Sequence, residues 1–241
     1  VAGGSKSLFM LDALAFWREQ GVKAALFALE EDRAFHLQRA LAQAEGLAGL
    51  TNAAWVRANS ARAREAAARH ADLLDDLGRC IWDAPDVEVT HEMLLKWTGE
   101  RAAAGARVLL VDPVTLAVAT DKPWISDARF MTAVKAIARR YACSILLVSH
   151  PRKGAKGVGL DDMAGGAAFA RFSQTALWLG FHPDPVEVLI RHEALTFKDK
   201  INREIFVVKA RNGVGTGARI GFRFDPATLR FQELGLIARE K

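Results

Sequence analysis

The sequence predicts an α/β fold: a mostly parallel central sheet flanked by helices, followed by antiparallel strands. In the first two thirds of the chain, short apolar runs alternate with helical patterns and show little polar alternation, which is typical of parallel strands buried on both faces. After about residue 180, short segments alternate between apolar and polar residues and are joined by turn residues. This second pattern is typical of antiparallel strands and hairpins.

Composition favours one large globular domain spanning residues 1–241. Of the 241 residues, 51% are hydrophobic and 25% are charged, which is ordinary for a protein that buries a real core. No apolar stretch approaches the roughly 18 residues of a membrane span, so we expect no membrane contact and a cytoplasmic protein. Cys80 and Cys143 are far apart and fit neither a zinc site nor a disulfide framework, so we expect both to be buried.

The chain begins with a candidate phosphate-binding loop. Its first seven residues read V-A-G-G-S-K-S and lead directly into a helical pattern. Backbone N–H groups at such a helix start face phosphates, a lysine neutralises them, and the following hydroxyl takes a magnesium position. The motif G-x-x-x-x-G-K-[ST] has glycine where Ser5 stands, and a glycine-containing helix start with a surface lysine is the alternative. The residues predicted to hold a nucleotide are Gly3, Gly4, Ser5, Lys6 and Ser7.

Acidic residues follow the first predicted strand, Ala24 to Leu29. Parallel sheets bind ligands at the carboxyl ends of their strands. Glu30 at that position could orient and deprotonate a hydrolytic water, and Glu31 is a weaker candidate. The alternative is acidic capping of the helix predicted from Arg33 to Ala44, a role that suits Asp32.

Two further strands end on residues with useful chemistry. The run that begins at Val108 ends on Asp112, which could support magnesium through water, although a strand-terminal aspartate has many other uses. The buried strand predicted from Cys143 to Val148 leads to His150. A single histidine at a strand end is usually structural, but here it would share an edge with Lys6 and could bind a terminal phosphate.

Two cationic segments suggest polyanion binding. Arg152, Lys153 and Lys156 lie in a glycine-rich stretch after His150, where a flexible loop would contact phosphates without reading bases; a surface loop without a partner is the alternative. Lys209 and Arg211 alternate on a strand and therefore share one face. In a ring, that face could reach a neighbour's triphosphate and Arg211 could act as an arginine finger in trans; surface charge is the alternative.

Local patterns complete the predicted elements. The segment from Ala119 to Ser126 is expected to be a surface loop. The predicted helices run from Ser7 to Gln20 with Gly21 as the cap, through Gly46 to Arg79 with a break near Leu50, from the Thr90 cap to Ala104, from Asp127 to Tyr141, and from Gly165 to Ser173. The predicted strands after them are Gln174 to Leu179, Val186 to Ile190, Glu204 to Lys209, Arg219 to Phe224 and Arg230 to Leu234, read as a sheet edge or hairpins appended to the parallel core.

Several stretches, taken in order, resemble one known family. They are AGGSKS, FALEED, RVLLVDPVTL, ILLVSHPRKGAKG and VVKARNGVGTG. They are similar to the ATPase domain of hexameric replicative DNA helicases of the DnaB type and to its plasmid and phage relatives. The resemblance implies a RecA-like P-loop NTPase core, and it implies a motor that uses ATP and Mg²⁺ and works on single-stranded DNA.

The resemblance also implies roles for individual residues. Lys6 would hold the β- and γ-phosphates, Ser7 and Asp112 magnesium, Glu30 the water and His150 the γ-phosphate, and Lys209 and Arg211 would enter the adjoining protomer's site. It implies a hexameric ring, with a primase or a loader as possible partners. The strand that precedes the phosphate loop in this family would lie before Val1, so we expect a fragment. A recombination or repair ATPase that forms filaments, or a nucleotide-binding regulator with little turnover, remains open, the second because of Ser5.

Overall fold

The computed structural model describes residues 5–119, 122–152, 154, 157–164 and 167–238. Within this part of the chain no helix is both long enough and apolar enough to cross a lipid bilayer. The helices are α1 (Lys6–Glu19), α2 (Arg33–Glu45), α3 (Ala53–Ala58), α4 (Ser60–Arg69), α5 (Ala71–Cys80), α6 (His91–Ala103), α7 (Pro123–Tyr141) and α8 (Ala167–Phe172). The strands are β1 (Ala24–Ala28), β2 (Ile81–Asp83), β3 (Val108–Asp112), β4 (Ser144–Leu147), β5 (Thr175–His192), β6 (Leu195–Ala210), β7 (Arg219–Asp225) and β8 (Arg230–Ile237).

The first four strands form the predicted parallel sheet, in the order β2-β1-β3-β4. In its register Ala28 lies beside Asp112, and Val111 lies beside Leu147. All five residues of β1 are buried, because helices cover both faces of the sheet. Burial on both faces explains why β1 and β3 lack polar alternation.

Strand β4 is less buried than predicted. The structure leaves Ile145, Leu146 and Leu147 only partly covered, and Ser144 is exposed. The reason is position: β4 pairs with β3 on one side and, within the described residues, with no strand on the other. Cys143, which precedes β4, is likewise only partly buried, whereas Cys80 is buried as predicted.

Local signals place most helix ends correctly. Helix α1 ends one residue before the predicted Gln20, and Gly21 follows in the left-handed conformation with φ of 74°. The Asp32 carboxylate accepts a 2.7 Å hydrogen bond from the Phe35 backbone N–H, which confirms the predicted cap of α2. Thr90 caps α6 in the same way.

Helix α7 corrects one prediction. It begins at Pro123, so the second half of the segment that we expected to be a loop is helical. Proline suits the first position of a helix because its φ is already helical and its missing N–H has no partner to lose there. The early start buries Ser126 and Asp127, and the Ser126 hydroxyl lies 2.9 Å from His91 Nδ1.

The C-terminal strands form a closed antiparallel barrel, β5-β6-β7-β8, whereas the sequence suggested a sheet edge or hairpins on the parallel core. The two short strands predicted from Gln174 and from Val186 are one long strand, β5. Two prolines lie between them, and the pairing with β6 shifts register between Phe181 and Val186. Proline is tolerated at such an irregularity because no ladder hydrogen bond is required from it.

The barrel interior is small and filled. Ile190, Ile201 and Leu234 form its buried centre. A Cβ added at Gly221 would lie 2.8 Å from Ile201 Cγ2 and 3.0 Å from Ile190 Cδ1, which is closer than carbon atoms pack. Gly221 is therefore required by the closeness of its neighbours.

The barrel packs against the first two helices. The Phe9 ring of α1 contacts Phe222 at 5.5 Å and Phe231 at 5.2 Å between ring centroids, both edge to face. The Arg230 guanidinium donates to the carbonyls of Gln43 and Ala44 at 2.6 Å each, at the C-terminal end of α2. These contacts bring β6 close to the start of α1.

The buried His36 predicts acid sensitivity of the fold. Burial lowers the pKa of His36 to about 4, and Arg39 adds to the effect. A histidine pKa depressed in the folded state stabilises the fold above its unfolded value of about 6.5, and this stabilisation is lost as pH falls toward the folded pKa. We expect the free energy of unfolding to decrease by up to roughly 3 kcal/mol across that window because of this residue.

Denaturant unfolding between pH 7 and pH 4 measures this loss. His36→Leu keeps an apolar side chain at the site and should flatten the pH dependence relative to the parent protein. His192→Leu, at the exposed end of β5, is the matched control and should leave it unchanged. Parallel loss of stability in the parent protein and in His36→Leu would contradict the assignment.

Candidate functional site

Three strands end together at the carboxyl edge of the sheet. The Leu29 N–H donates to the Asp112 carbonyl at 2.8 Å, and the Val148 N–H donates to the Val111 carbonyl at 2.9 Å. The residues that follow these strands are therefore neighbours. His150 Nε2 lies 3.8 Å from Glu30 Oε2, although the two residues are far apart in the chain.

Asp112 lies at the centre of this edge and is buried. Burial raises the pKa of Asp112, and the carboxylate of Glu30 raises it further. A hydrogen bond from the Ser7 hydroxyl and the positive charges of Lys6 and His150 act in the opposite direction. The structure thus brings together the predicted Lys6, Ser7, Glu30, Asp112 and His150.

The donor set suits magnesium. The Ser7 hydroxyl and the Asp112 carboxylate are adjacent oxygen ligands, and Mg²⁺ prefers oxygen and is bound by few protein groups, with phosphate and water completing its shell. The described residues contain no group of three or more His, Cys, Asp or Glu side chains that could hold a metal by itself.

Ser5 precedes α1 in an unusual conformation. Its φ of 60° and ψ of 22° are left-handed, and its side chain makes no capping hydrogen bond to the helix. Instead, the Ser5 hydroxyl accepts a 3.2 Å hydrogen bond from Arg203 Nη2. The predicted Gly3 and Gly4 lie outside the described residues.

Arg39 is a cation that the sequence analysis did not single out. Burial lowers the pKa of Arg39, and the charges of Glu31, Asp112 and Glu30 oppose that shift, so its guanidinium belongs to the same electrostatic cluster. It is held over the Phe35 ring at 4.1 Å. Its only sequence signal is its place in the helix that starts shortly after Glu30.

Lys209 and Arg211 contact one helix end. Lys209 Nζ donates to the Ala170 carbonyl at 2.7 Å, and Arg211 Nη2 donates to the Arg171 carbonyl at 3.3 Å. Both cations thus lie together at the C-terminal end of α8, where they are favourable to the helix dipole. Burial and the nearby Arg211 lower the pKa of Lys209.

The cationic loop begins next to His150. The Ala164 N–H donates to the His150 carbonyl at 2.8 Å, and the Arg152 N–H donates to the Asp162 carbonyl at 2.7 Å, so the two ends of the loop are joined. Arg152 is exposed. The predicted Lys153 and Lys156 lie outside the described residues.

Comparison with solved structures identifies the fold. The chain superimposes on the solved ATPase domain of a DnaB-like helicase with a TM-score of 0.69 at 16% identity, over 95% of this chain and 81% of that one. It superimposes on a second DnaB-like replicative helicase, solved in a study of its interactions with primase, with a TM-score of 0.71 at 14% identity, over 95% of this chain and 56% of that one. The chain therefore spans little more than half of that second helicase.

Comparison of sequences gives no match, either to a protein-family model or to a curated protein. The structural likeness establishes the fold: this protein has the RecA-like fold of DnaB-type helicase ATPase domains. The fold class and the resemblance derived from the sequence are thereby confirmed at the level of fold.

Asp112→Asn should stabilise the protein without nucleotide. Because burial raises the pKa of Asp112, its ionised form at neutral pH costs folding free energy, and a neutral amide avoids that cost. We expect a gain of about 1 kcal/mol, which raises Tm by about 2–4 °C for a chain of this size. Calorimetry with and without Mg·ATP measures it, and the stabilisation by Mg·ATP should be lost in the variant.

The matched control is Asp83→Asn at the end of β2. Asp83 accepts a 2.8 Å hydrogen bond from the Arg33 N–H and also lies near the Arg33 guanidinium, so its substitution should lower Tm. Equal destabilisation by both substitutions would show that Asp112 is an ordinary structural acid.

Proposed function

We propose that this chain is the ATP-hydrolysing domain of a ring-forming helicase or translocase that moves on single-stranded DNA. The observation that supports it best is the meeting of five polar groups, brought from four separate places in the chain, at one edge of the sheet. They are Lys6, Ser7, Glu30, Asp112 and His150.

The start of α1 supplies phosphate binding. Its first N–H groups have no helical acceptor, and they carry the positive end of the helix dipole. Lys6 and Arg39 would neutralise the outer phosphates. Ser7 and Asp112 would hold Mg²⁺, which bridges phosphate oxygens and neutralises the charge that develops during phosphoryl transfer.

Glu30 would act on the attacking water. Its carboxylate is exposed and lies 3.8 Å from the His150 ring, so both can reach the space above Asp112. Glu30 would accept the proton of the water, and His150 would donate a hydrogen bond to the terminal phosphate. Because the cationic loop begins next to His150, loss of that phosphate would be felt at the loop.

The cationic segments support the polymer and the assembly. Arg152 together with Lys153 and Lys156 would contact the phosphates of single-stranded DNA. Lys209 and Arg211 would leave the end of α8 and enter the site of an adjoining protomer, as trans-acting cations do in phosphoryl transfer. A hexameric ring, one ATPase domain spanning residues 1–241 and a primase or loader as partner belong to the same proposal.

A nucleotide-binding regulator with little turnover is the second candidate. Ser5 favours it, because a Cβ at this position brings bulk to a loop whose backbone must approach phosphate closely. Tight ATP binding with no phosphate release, with or without DNA, would support this candidate over the motor.

Substitution of Lys6 tests the catalytic site. The parent protein should release phosphate from ATP faster when single-stranded DNA is added, and Lys6→Ala should reduce the rate at least about 100-fold, because a preorganised cation at the transferred phosphate is lost. Lys23→Ala, at a lysine between α1 and β1 on the far side of the sheet from the site, is the control and should retain the parent rate. Parent-level turnover in Lys6→Ala would exclude the site.

A subunit-mixing experiment tests action in trans. If Arg211 serves a neighbour, Arg211→Ala protein mixed with parent protein should lower ATPase activity more than in proportion to its share, because each defective subunit also disables the adjoining site. Arg223→Ala, at an exposed arginine of β7, is the control and should leave the rate unchanged at every mixing ratio. A strictly proportional decline with Arg211→Ala would rule out the finger in trans.

A further inference from the structure

Arg203 of β6 is a buried cation without an acidic partner among the described residues. Only 5% of its surface is exposed. Burial lowers the pKa of Arg203, and no carboxylate offsets the shift. Nη1 donates to the Asn202 carbonyl at 2.9 Å, whereas Nε is buried and finds no acceptor in the described part of the chain.

Aromatic rings determine the direction of this guanidinium. Its central carbon lies 4.2 Å from the centroid of Phe181 and 4.8 Å from that of Phe224. Contacts of a guanidinium with aromatic faces are favourable, and they fix its plane. The edge remains for hydrogen bonding, and Nη2 on that edge lies 3.2 Å from the Ser5 hydroxyl.

Ser5 would otherwise favour a different geometry. A serine before a helix usually has an extended backbone, and its hydroxyl accepts a hydrogen bond from the second or third N–H of the helix. In α1 those N–H groups belong to Ser7 and Leu8, and they are the groups that a phosphate would need. Ser5 is instead left-handed and makes no such bond.

The left-handed backbone has a cost that glycine does not have. A residue with a Cβ loses roughly 1–2 kcal/mol in this conformation. The hydrogen bond from Arg203 offsets part of that cost and occupies the hydroxyl that would cap the helix. It therefore keeps the N–H groups of the first turn available.

We propose that Arg203 is a positioning residue of the phosphate loop: by holding the Ser5 hydroxyl away from α1, it lets a serine occupy the place of the glycine in the motif. This rests on the proposed function, since it takes the loop to bind the phosphates of ATP. The pair Ser5 and Arg203 does together what a glycine does alone.

A double-mutant cycle tests the pair. Arg203→Gln should raise the Kd of Mg·ATP, measured by calorimetric titration, and the KM for ATP about tenfold, with kcat at saturating ATP changed less than about twofold, since a tenfold change corresponds to about 1.4 kcal/mol. Ser5→Gly should bind ATP at least as tightly as the parent. In that background, Arg203→Gln should change Kd by less than about twofold, because the hydroxyl is absent.

Two further variants keep the test valid if Arg203→Gln folds poorly. Ser5→Ala removes the hydroxyl and leaves Arg203 in place, and it should also weaken ATP binding because the left-handed backbone loses its support. Arg223→Gln removes an exposed arginine of β7 that pairs with Asp199, and it should have no effect on ATP binding. Equal loss from Arg203→Gln in both backgrounds, or no loss from Ser5→Ala, would overturn the proposal.

Amide hydrogen exchange in the nucleotide-free protein gives a readout independent of ATP. When Arg203→Gln releases the Ser5 hydroxyl, that hydroxyl can cap α1, and exchange at Ser7 and Leu8 should slow relative to the parent. The same substitution in the Ser5→Gly background should leave exchange unchanged. Unchanged exchange in both backgrounds would reject the role of Arg203, whereas failure of ATP binding in the parent protein would reject the proposed function alone.

Discussion

The hydrogen bond between the Ser7 hydroxyl and the Asp112 carboxylate determines the geometry of the whole site. It joins the first turn of α1 to the last residue of β3. The Asp112 backbone in turn holds the end of β1 through Leu29, and Val111 holds the end of β4 through Val148. The distance between phosphate loop, metal ligands and the two groups above them therefore depends on one contact between a helix start and a strand end.

The sequence predicts the elements well where local chemistry determines them. Strand β1 is apolar throughout because both of its faces are covered, and Asp32 and Thr90 cap their helices through contacts only three residues along the chain. Exposure of β4 and closure of the barrel depend on contacts between distant segments. Pairing of β5 with β8 rests on Ile190 with Ile237 and on Arg191 with Leu236, and no local pattern indicates it.

The same distinction applies to the site. Residues at or just after the end of a buried strand, such as Glu30 and Asp112, are visible in the sequence because the strand itself indicates their place. Arg39 and Arg203 are not, since a single arginine in a helix or a strand has no signature and acquires its partners only when the chain folds. Arg203 reaches Ser5 because Phe9 packs α1 against the barrel.

The tight interior of the barrel limits what this half of the molecule can do. With Gly221 facing Ile190 and Ile201 at contact distance, the described strands leave no chamber for a small molecule between them. Any chemistry of this half must be performed by side chains on its outer surface and at its turns. The barrel thus acts as a stiff bracket, which transmits a displacement from one end of β6 to the other with little loss to internal rearrangement.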